Sequence, residues 1–472
     1  MASTVRRTRP PNADLARLIE ASGASHKALA HRINQLAQAA GIQSDYSHTS
    51  IANWCRRGMT PKWPVPRLLA QAVGERLGRP VPLTEIGMGE AETPDADLGL
   101  DFPREPADAV RVATSFWSSV NRRDFLTGSS FALSAFTTPV TRWLVTPADD
   151  TAHHRGGTQV GRLDLEELRD AADEARRWDS KYGGGNWRAN SVTTCLEQQA
   201  VPLLQGSFSD KVGRELFSVT SELSRLAGWT AFDVGQHEVA QRHFIQALRL
   251  ARAGGDVQLG CYVLTTMAMQ ALMRGFAEEA IDMAQGAFER AKHDAVPRVL
   301  AFTKLIEARA HARTGDGRAA SQALATSESL LERTREDNGD EPGWIDFYHH
   351  ARLSADATEV FRDLKNPKTA LTWNQQAAAM QPGVFTRSVG MRLAIVGTAH
   401  LQARDLDHGL ELGNRSVDIL TRVKSTRALD YVREFNDALT PWRREPAVRD
   451  FLHRTRKGLG TASPPLAKTG AR

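Results

Sequence analysis

The residues best placed to do chemistry lie in one short run, His48-Thr49-Ser50-Ile51-Ala52-Asn53-Trp54-Cys55-Arg56-Arg57-Gly58. Ile51, Trp54 and Cys55 stand at i, i+3 and i+4, the spacing that turns one helix face toward a core. Ser50, Asn53 and Arg57 share another face, with Thr49, Asn53 and Arg56 close to it. Hydroxyl, carboxamide and guanidinium groups are the side chains that pair with base edges and phosphates. The pattern predicts a recognition helix, with Ser50, Asn53, Arg56 and Arg57 toward a major groove. His48, Thr49, Lys27 and Lys62 join this set, with Thr49, Lys27 and Lys62 on phosphates. Gly58 is a C-cap, and Pro61, Pro64 and Pro66 hold the following chain out of the helix.

Flanking segments supply the frame. Ser25 can cap a helix running to about residue 40, with Ala28, Leu29, Ile33, Leu36 and Ala37 on one stripe. Another helix follows near residues 67–77, with Leu68, Leu69, Ala72, Val73 and Leu77 inward. The link between the two central helices, residues 41–47, exceeds the turn of a minimal helix-turn-helix, so the motif is a variant. The alternative is a small bundle whose charged face is merely solvated. Charge weighs against that alternative. The first 80 residues hold twelve Lys and Arg against four Asp and Glu, a net +8, whereas all 472 residues sum to +5. Basicity is concentrated where phosphate contacts would use it.

Apolar content of 41% and charged content of 24% fit a soluble globular chain, and the length allows two or three domains. Cys55, Cys195 and Cys261 are widely separated, which argues for a reducing compartment and against a disulfide or metal framework. The histidines form no HExxH or Cys/His cluster in sequence, and the pairs His153-His154 and His349-His350 read as solvated. Residues 1–11 are basic and precede no apolar run, so no secretory leader is expected. Arg122-Arg123-Asp124-Phe125-Leu126 resembles a twin-arginine export signal. It is internal, however, and is followed by too short an apolar stretch to span a bilayer. An inter-domain helix is the expected reading.

From about residue 210 the chain repeats. Gly235, Gly275 and Gly315 are 40 apart, as are Ala240, Ala280 and Ala320, and Gly228, Ala268 and Ala308. Small residues let paired antiparallel helices approach, glycine permits the turn, and each hairpin leaves an apolar face for the next. The pattern resembles the tetratricopeptide repeat (TPR), with a unit longer than its usual length; a HEAT-like stack is the alternative. A fourth unit keeps Ala370 and Ala377 but has Lys365 at its turn, and a fifth lies around Gly397, Gly409 and Gly413. In TPR register, Arg225, Tyr262, Arg309, Arg313, Arg352 and Arg362 would line the concave face. They would suit an acidic or carboxylate-terminated peptide. The competing reading pairs these arginines with Glu222, Glu359 and Asp363. The run Lys181-Tyr182-Gly183-Gly184-Gly185-Asn186-Trp187-Arg188 lacks the rest of a P-loop and reads as a turn between helices.

Strand signals are nearly absent, which predicts an all-α protein: an N-terminal helix-turn-helix domain followed by a TPR-like α-solenoid. Expected boundaries are 12–89 for the reader, 90–160 for a linker with an inter-domain helix, 161–440 for the repeats and 441–472 for a partly disordered tail.

Further motifs carry a family resemblance. His26-Lys27-Ala28-Leu29-Ala30, Tyr46-Ser47-His48-Thr49-Ser50, Trp54 to Pro61 and Leu77-Gly78-Arg79-Pro80-Val81 resemble an XRE-type reader. It is the reader of actinobacterial regulators of sporulation and antibiotic production, of the Nsd type. Residues 122–126, 183–188 and Leu226-Ala227-Gly228-Trp229…Asp233-Val234-Gly235 resemble that family's middle region, and the likeness covers roughly residues 12–420. It implies a cytoplasmic transcriptional regulator, often a repressor of development or secondary metabolism. The partners expected are double-stranded DNA, a peptide or protein on the repeats and a second copy as homodimer, with no membrane, metal or other cofactor. The competing class is a TPR interaction scaffold without sequence-specific DNA binding. An enzyme is not expected: no nucleophile elbow, nucleotide fingerprint or acid/base constellation stands out.

Overall fold

The computed structural model describes residues 10–39, 45–61, 65–79, 81–83, 85–88, 97–120, 130–185, 191–334, 341–377 and 386–459. Lys62, residues 122–126, 186–188 and 460–472, and most of the 41–47 link lie outside them. Among the described residues the protein is all-α, with only two isolated bridges, His154 to Phe208 and Gln159 to Ser207. No helix is long and apolar enough to cross a membrane. The chain divides into two compact units, residues 1–97 with 119–129, and residues 98–118 with 130–472.

The first unit is built from α1 (Ala13–Ala21), α2 (His26–Ala39), α3 (His48–Arg57) and α4 (Val65–Leu77). Its core contains Leu15, Leu29, Ile33, Ile51, Trp54, Leu69 and Val73, as the apolar spacing requires, and Ile86 and Met88 close it. Asn12 caps α1 by accepting from Leu15 N–H. The same residue donates its backbone N–H to the Cys55 carbonyl and its side chain to Ile86 O. One residue therefore ties the start of the domain to the end of α3 and to the closing turn.

The second unit opens with α5 (Pro106–Val120), α6 (Thr137–Val145) and the long α7 (Arg162–Tyr182). The short helices α8 (Ser191–Cys195) and α9 (Val201–Leu204) follow, joined by a π-helical turn. Among the described residues, five helical hairpins come next. They are α10 (Asp210–Asp233) with α11 (His237–Gly254), α12 (Val257–Met273) with α13 (Ala277–Ala291), and α14 (Pro297–Thr314) with α15 (Gly317–Glu332). The remaining two are α16 (His350–Asp363) with α17 (Pro367–Gln376) and α18 (Thr386–Gln402) with α19 (Leu406–Leu420); α20 (Thr426–Ala438) then packs on α18 and α21 (Pro446–Leu459) on α19.

The repeat arithmetic has a direct cause. Ala240, Ala268, Ala280, Ala308 and Ala320 are fully buried, and a Cβ at Gly228 would come within 2.6 Å of the Phe244 ring. Gly235, Gly275 and Gly315 hold φ of +83°, +91° and +83° at the hairpin turns, where a side chain costs energy. In the fourth and fifth hairpins the left-handed residue is Lys365 (φ +57°) and Arg404 (φ +65°). The fifth turn is thus carried by an arginine that the glycine pattern did not single out.

Two boundaries differ from expectation. Residues 98–106 are clamped to α11 rather than free as linker. Arg242 Nε donates to Leu98 O (2.9 Å), Gln246 Nε2 to Gly99 O (2.8 Å) and Asp101 O (3.0 Å), and Arg249 to Pro103 O (2.7 Å) and Arg104 O (2.9 Å). Composition read these residues as loop; the polar stripe of α11 supplies the missing partners for their carbonyls. At the other end the array continues past residue 440, because Phe451 and Val448 of α21 are buried and Phe451 packs edge-on against Phe435.

Candidate functional site

The orientation of α3 is fixed by a reciprocal amide pair. Asn34 on α2 donates to Tyr46 O (2.9 Å) and accepts from Tyr46 N–H (3.0 Å), and the Tyr46 ring meets Trp54 edge-on at 5.3 Å. Sequence reading missed this clamp, because a polar residue on α2 gives no sign of a partner twelve positions away. Ile51, Trp54 and Cys55 are buried. Across the helix, His48, Thr49, Arg56 and Arg57 are exposed, as is Lys27, while Ser50 and Asn53 are half-buried. Ser50 has a second task, since its Oγ accepts from Ser47 N–H at 3.3 Å and so caps the helix; its own O–H stays available to donate. Gly58 ends α3 in the left-handed conformation at φ +56°.

Three acids of this unit are paired with arginines outside α3. Asp14 pairs with Arg17, Glu75 with Arg32 at 2.7 Å, and Glu85 with Arg79 at 2.5 Å. Arg32 and Arg79 hold the Glu75 and Glu85 carboxyls below the usual range through these hydrogen bonds. Lys27, Arg56 and Arg57 form no ion pair among the described residues. Part of the basic excess seen in composition thus emerges on and beside α3, on Lys27, Arg56 and Arg57.

The six array residues sit in a different setting. Arg309 Nη2 donates to Glu359 (2.7 Å) and to the Tyr431 hydroxyl (3.0 Å). Arg313 pairs with Asp363 (2.7 Å) and Glu434 (3.1 Å). Arg362 meets Asp363 (2.7 Å), Glu434 (2.8 Å) and Glu359 (3.5 Å), and Arg352 pairs with Asp356 (2.7 Å). Tyr262 stacks on Trp344 at 4.9 Å and carries the Arg225 guanidinium at 4.7 Å from its ring. Arg309, Arg313, Arg352 and Arg362, which the repeat register offers to an acidic peptide, therefore find their carboxylates within the chain. Glu434 and Tyr431 come from α20, which lies across the first helices of earlier hairpins. Burial alone would raise the Glu359 pKa, but Arg309, Arg362 and Arg313 outweigh it and hold it low.

A second buried cluster joins the start of the array to its end. Arg387 on α18 grips Asp179 on α7 with both terminal nitrogens, each at 2.9 Å, and reaches Asp233 on α10 at 2.9 Å. Asp233 also accepts from Arg427 (3.1 Å) and Gly184 N–H (2.9 Å), while Trp229 Nε1 donates to Asp179. Desolvation pushes Asp233 upward, but Arg387 and Arg427 prevail and keep it ionised. The glycine run is part of this seam as well as a turn: a Cβ on Gly184 would lie 2.5 Å from Thr230 O, and one on Gly185 2.6 Å from Lys424. Trp229 and Asp233 were visible as a motif; their partner 154 residues downstream of Asp233, Arg387, was not.

All three cysteines are free and buried. Burial raises the Cys195 and Cys261 thiols to about 11, so neither is a thiolate nucleophile at neutral pH.

The fold defines an all-α protein with an N-terminal helical domain and a paired-helix α-solenoid. The family model for the SP15 N-terminal domain matches residues 15–89, which fall within the first unit. No curated protein matches the chain.

Proposed function

We propose that this protein is a transcriptional regulator whose first unit binds double-stranded DNA through α3. The observation that carries the reading is that Lys27, Arg56 and Arg57 form no ion pair among the described residues and stand exposed beside a polar helix face. Ser50, Asn53, Arg56 and Arg57 would face the major groove, as recognition-helix side chains do, with Thr49 and Lys27 on phosphates. Half-sites about one helical turn apart would fit a homodimer. The array would recognise a protein or peptide partner. Arg309, Arg313, Arg352 and Arg362 already meet internal carboxylates, so such a partner would either displace α20 or use the outer helices. The sequence resemblance adds a cytoplasmic setting and control of development or secondary metabolism.

The test is chromatin immunoprecipitation of the tagged chain beside an R56A/R57A variant, with DNA affinity measured across salt concentrations. Shared-motif peaks lost in the variant, and affinity falling steeply with salt, are expected. A folded protein with no peaks and no salt-dependent binding would leave an interaction scaffold as the function.

A further inference from the structure

The histidines make no cluster in sequence, yet folding makes one. His400 lies in the last turn of α18, Asp405 is the N-cap of α19, and His408 follows in its first turn. His400 Nδ1 is 3.0 Å from Asp405 Oδ2, and His408 Nδ1 is 2.8 Å from the same oxygen. The two rings stack at 5.4 Å, and one ligating atom from each residue falls within 4.8 Å of the others. Both imidazoles thus turn the same nitrogen toward one carboxylate. The helix-capping work is done by the other oxygen, Oδ1, which accepts from His408 N–H at 3.3 Å.

We propose that His400, Asp405 and His408 form a binding site for a divalent transition-metal ion of the zinc class. Two imidazole nitrogens and one carboxylate oxygen are the donor set that such ions take and that Mg²⁺ and Ca²⁺ do not favour. In a tetrahedral site with bonds of about 2.0 Å, neighbouring donors stand about 3.3 Å apart. The two nitrogen–oxygen separations need to open by only a few tenths of an ångström, and all three donors already lie within 4.8 Å of one another. His408 is 67% exposed, which leaves a coordination position for water or a fourth ligand. The nearest basic side chain in sequence, Arg404, stacks over Trp442 at 5.6 Å. A bound ion would link the end of α18 to the start of α19 across the turn that Arg404 holds at positive φ. The site is independent of the DNA-binding reading.

The experiment is calorimetric titration of the untagged full-length chain with Zn²⁺ after chelator treatment, with metal content measured after dialysis. Mg²⁺ is the control ion. One equivalent of Zn²⁺ with micromolar or tighter affinity is expected, with no Mg²⁺ binding. His408→Gln removes an exposed ligand, and Asp405→Asn keeps a good cap but loses the anionic donor. Each should weaken Zn²⁺ by at least about tenfold, the loss seen even for outer-sphere partners. His293→Gln, an exposed histidine elsewhere, should leave binding unchanged. Circular dichroism melts of the metal-free variants separate lost binding from lost fold. Equal affinity in all four proteins, or no saturable binding below about 100 μM, would overturn the proposal.

Discussion

Arginine does opposite work in the two units. On α3 of the first unit, Arg56 and Arg57 are exposed and meet no carboxylate among the described residues. In the array, Arg309, Arg362 and Arg387 are at most 7% exposed and each grips at least one acid. A buried guanidinium must recover its lost hydration through fixed partners, whereas an exposed one remains free to meet a phosphate. The same residue type thus marks a rigid seam in one region and a candidate contact surface in the other. Composition alone cannot tell them apart.

The sharpest way to break this comparison is Arg387→Ala. It strips Asp179 and Asp233 of a shared counter-charge inside the fold, and should cost about 3–5 kcal/mol of stability in urea unfolding. Arg387→Lys keeps the charge without the two-pronged contact and should recover only part. A loss under about 1 kcal/mol for the alanine variant would remove the cluster from its place as the seam.

Protonation probes burial without mutation. Burial lowers His243 to about 3, below the roughly 6.5 of an unfolded histidine. The neutral form is therefore the one that folds. Stability contributed by this residue is complete above about pH 6.5 and declines as pH falls toward 3, by up to about 1.4 kcal/mol per unit. His237 and His349 are shifted the same way, chiefly by burial. His243→Gln should flatten the stability–pH curve between pH 6.5 and 5; an unchanged slope would show that the ring ionises within the fold.

R56A/R57A should behave in the opposite manner to Arg387→Ala. Stability should move by no more than about 0.5 kcal/mol, while DNA affinity falls at least about tenfold and the salt slope becomes shallower by up to about two. Loss of stability with unchanged DNA affinity would reverse the assigned roles. The smallest effect is expected at the turns. Lys365→Gly relieves a left-handed side chain and should be neutral to stabilising, by up to about 1 kcal/mol, whereas Gly235→Ala at φ +83° should destabilise by about 1–2 kcal/mol. Thermal melts of the two variants compare them directly.

Much of this was legible because it is local. The apolar spacing of α3, the C-cap at Gly58 and the 40-residue recurrence of Gly235, Gly275 and Gly315 follow from steric rules within a few turns of chain. Of the candidate DNA contacts on α3, His48, Thr49, Arg56 and Arg57 are exposed for the same reason, and Ser50 and Asn53 are half-buried. The arginines at 309, 313, 352 and 362 lie on first helices of the hairpins; Arg309, Arg313 and Arg362 meet Glu359 or Asp363, whereas Arg352 pairs with Asp356 and Glu222 pairs with Arg176. The strap at residues 98–106 was illegible because its hydrogen-bond partners lie about 145 residues away on α11.

The sequence by itself determined the helices, their pairing into hairpins and the concentration of positive charge near the N-terminus, since periodicity, capping and side-chain volume act over short separations. Only the tertiary structure decided which charges are neutralised and which stay available. Asp179, Asp233 and Arg387 meet because the end of the array returns to its beginning. Such encounters depend on how many small helix-to-helix displacements accumulate, a quantity that no local pattern of residues encodes.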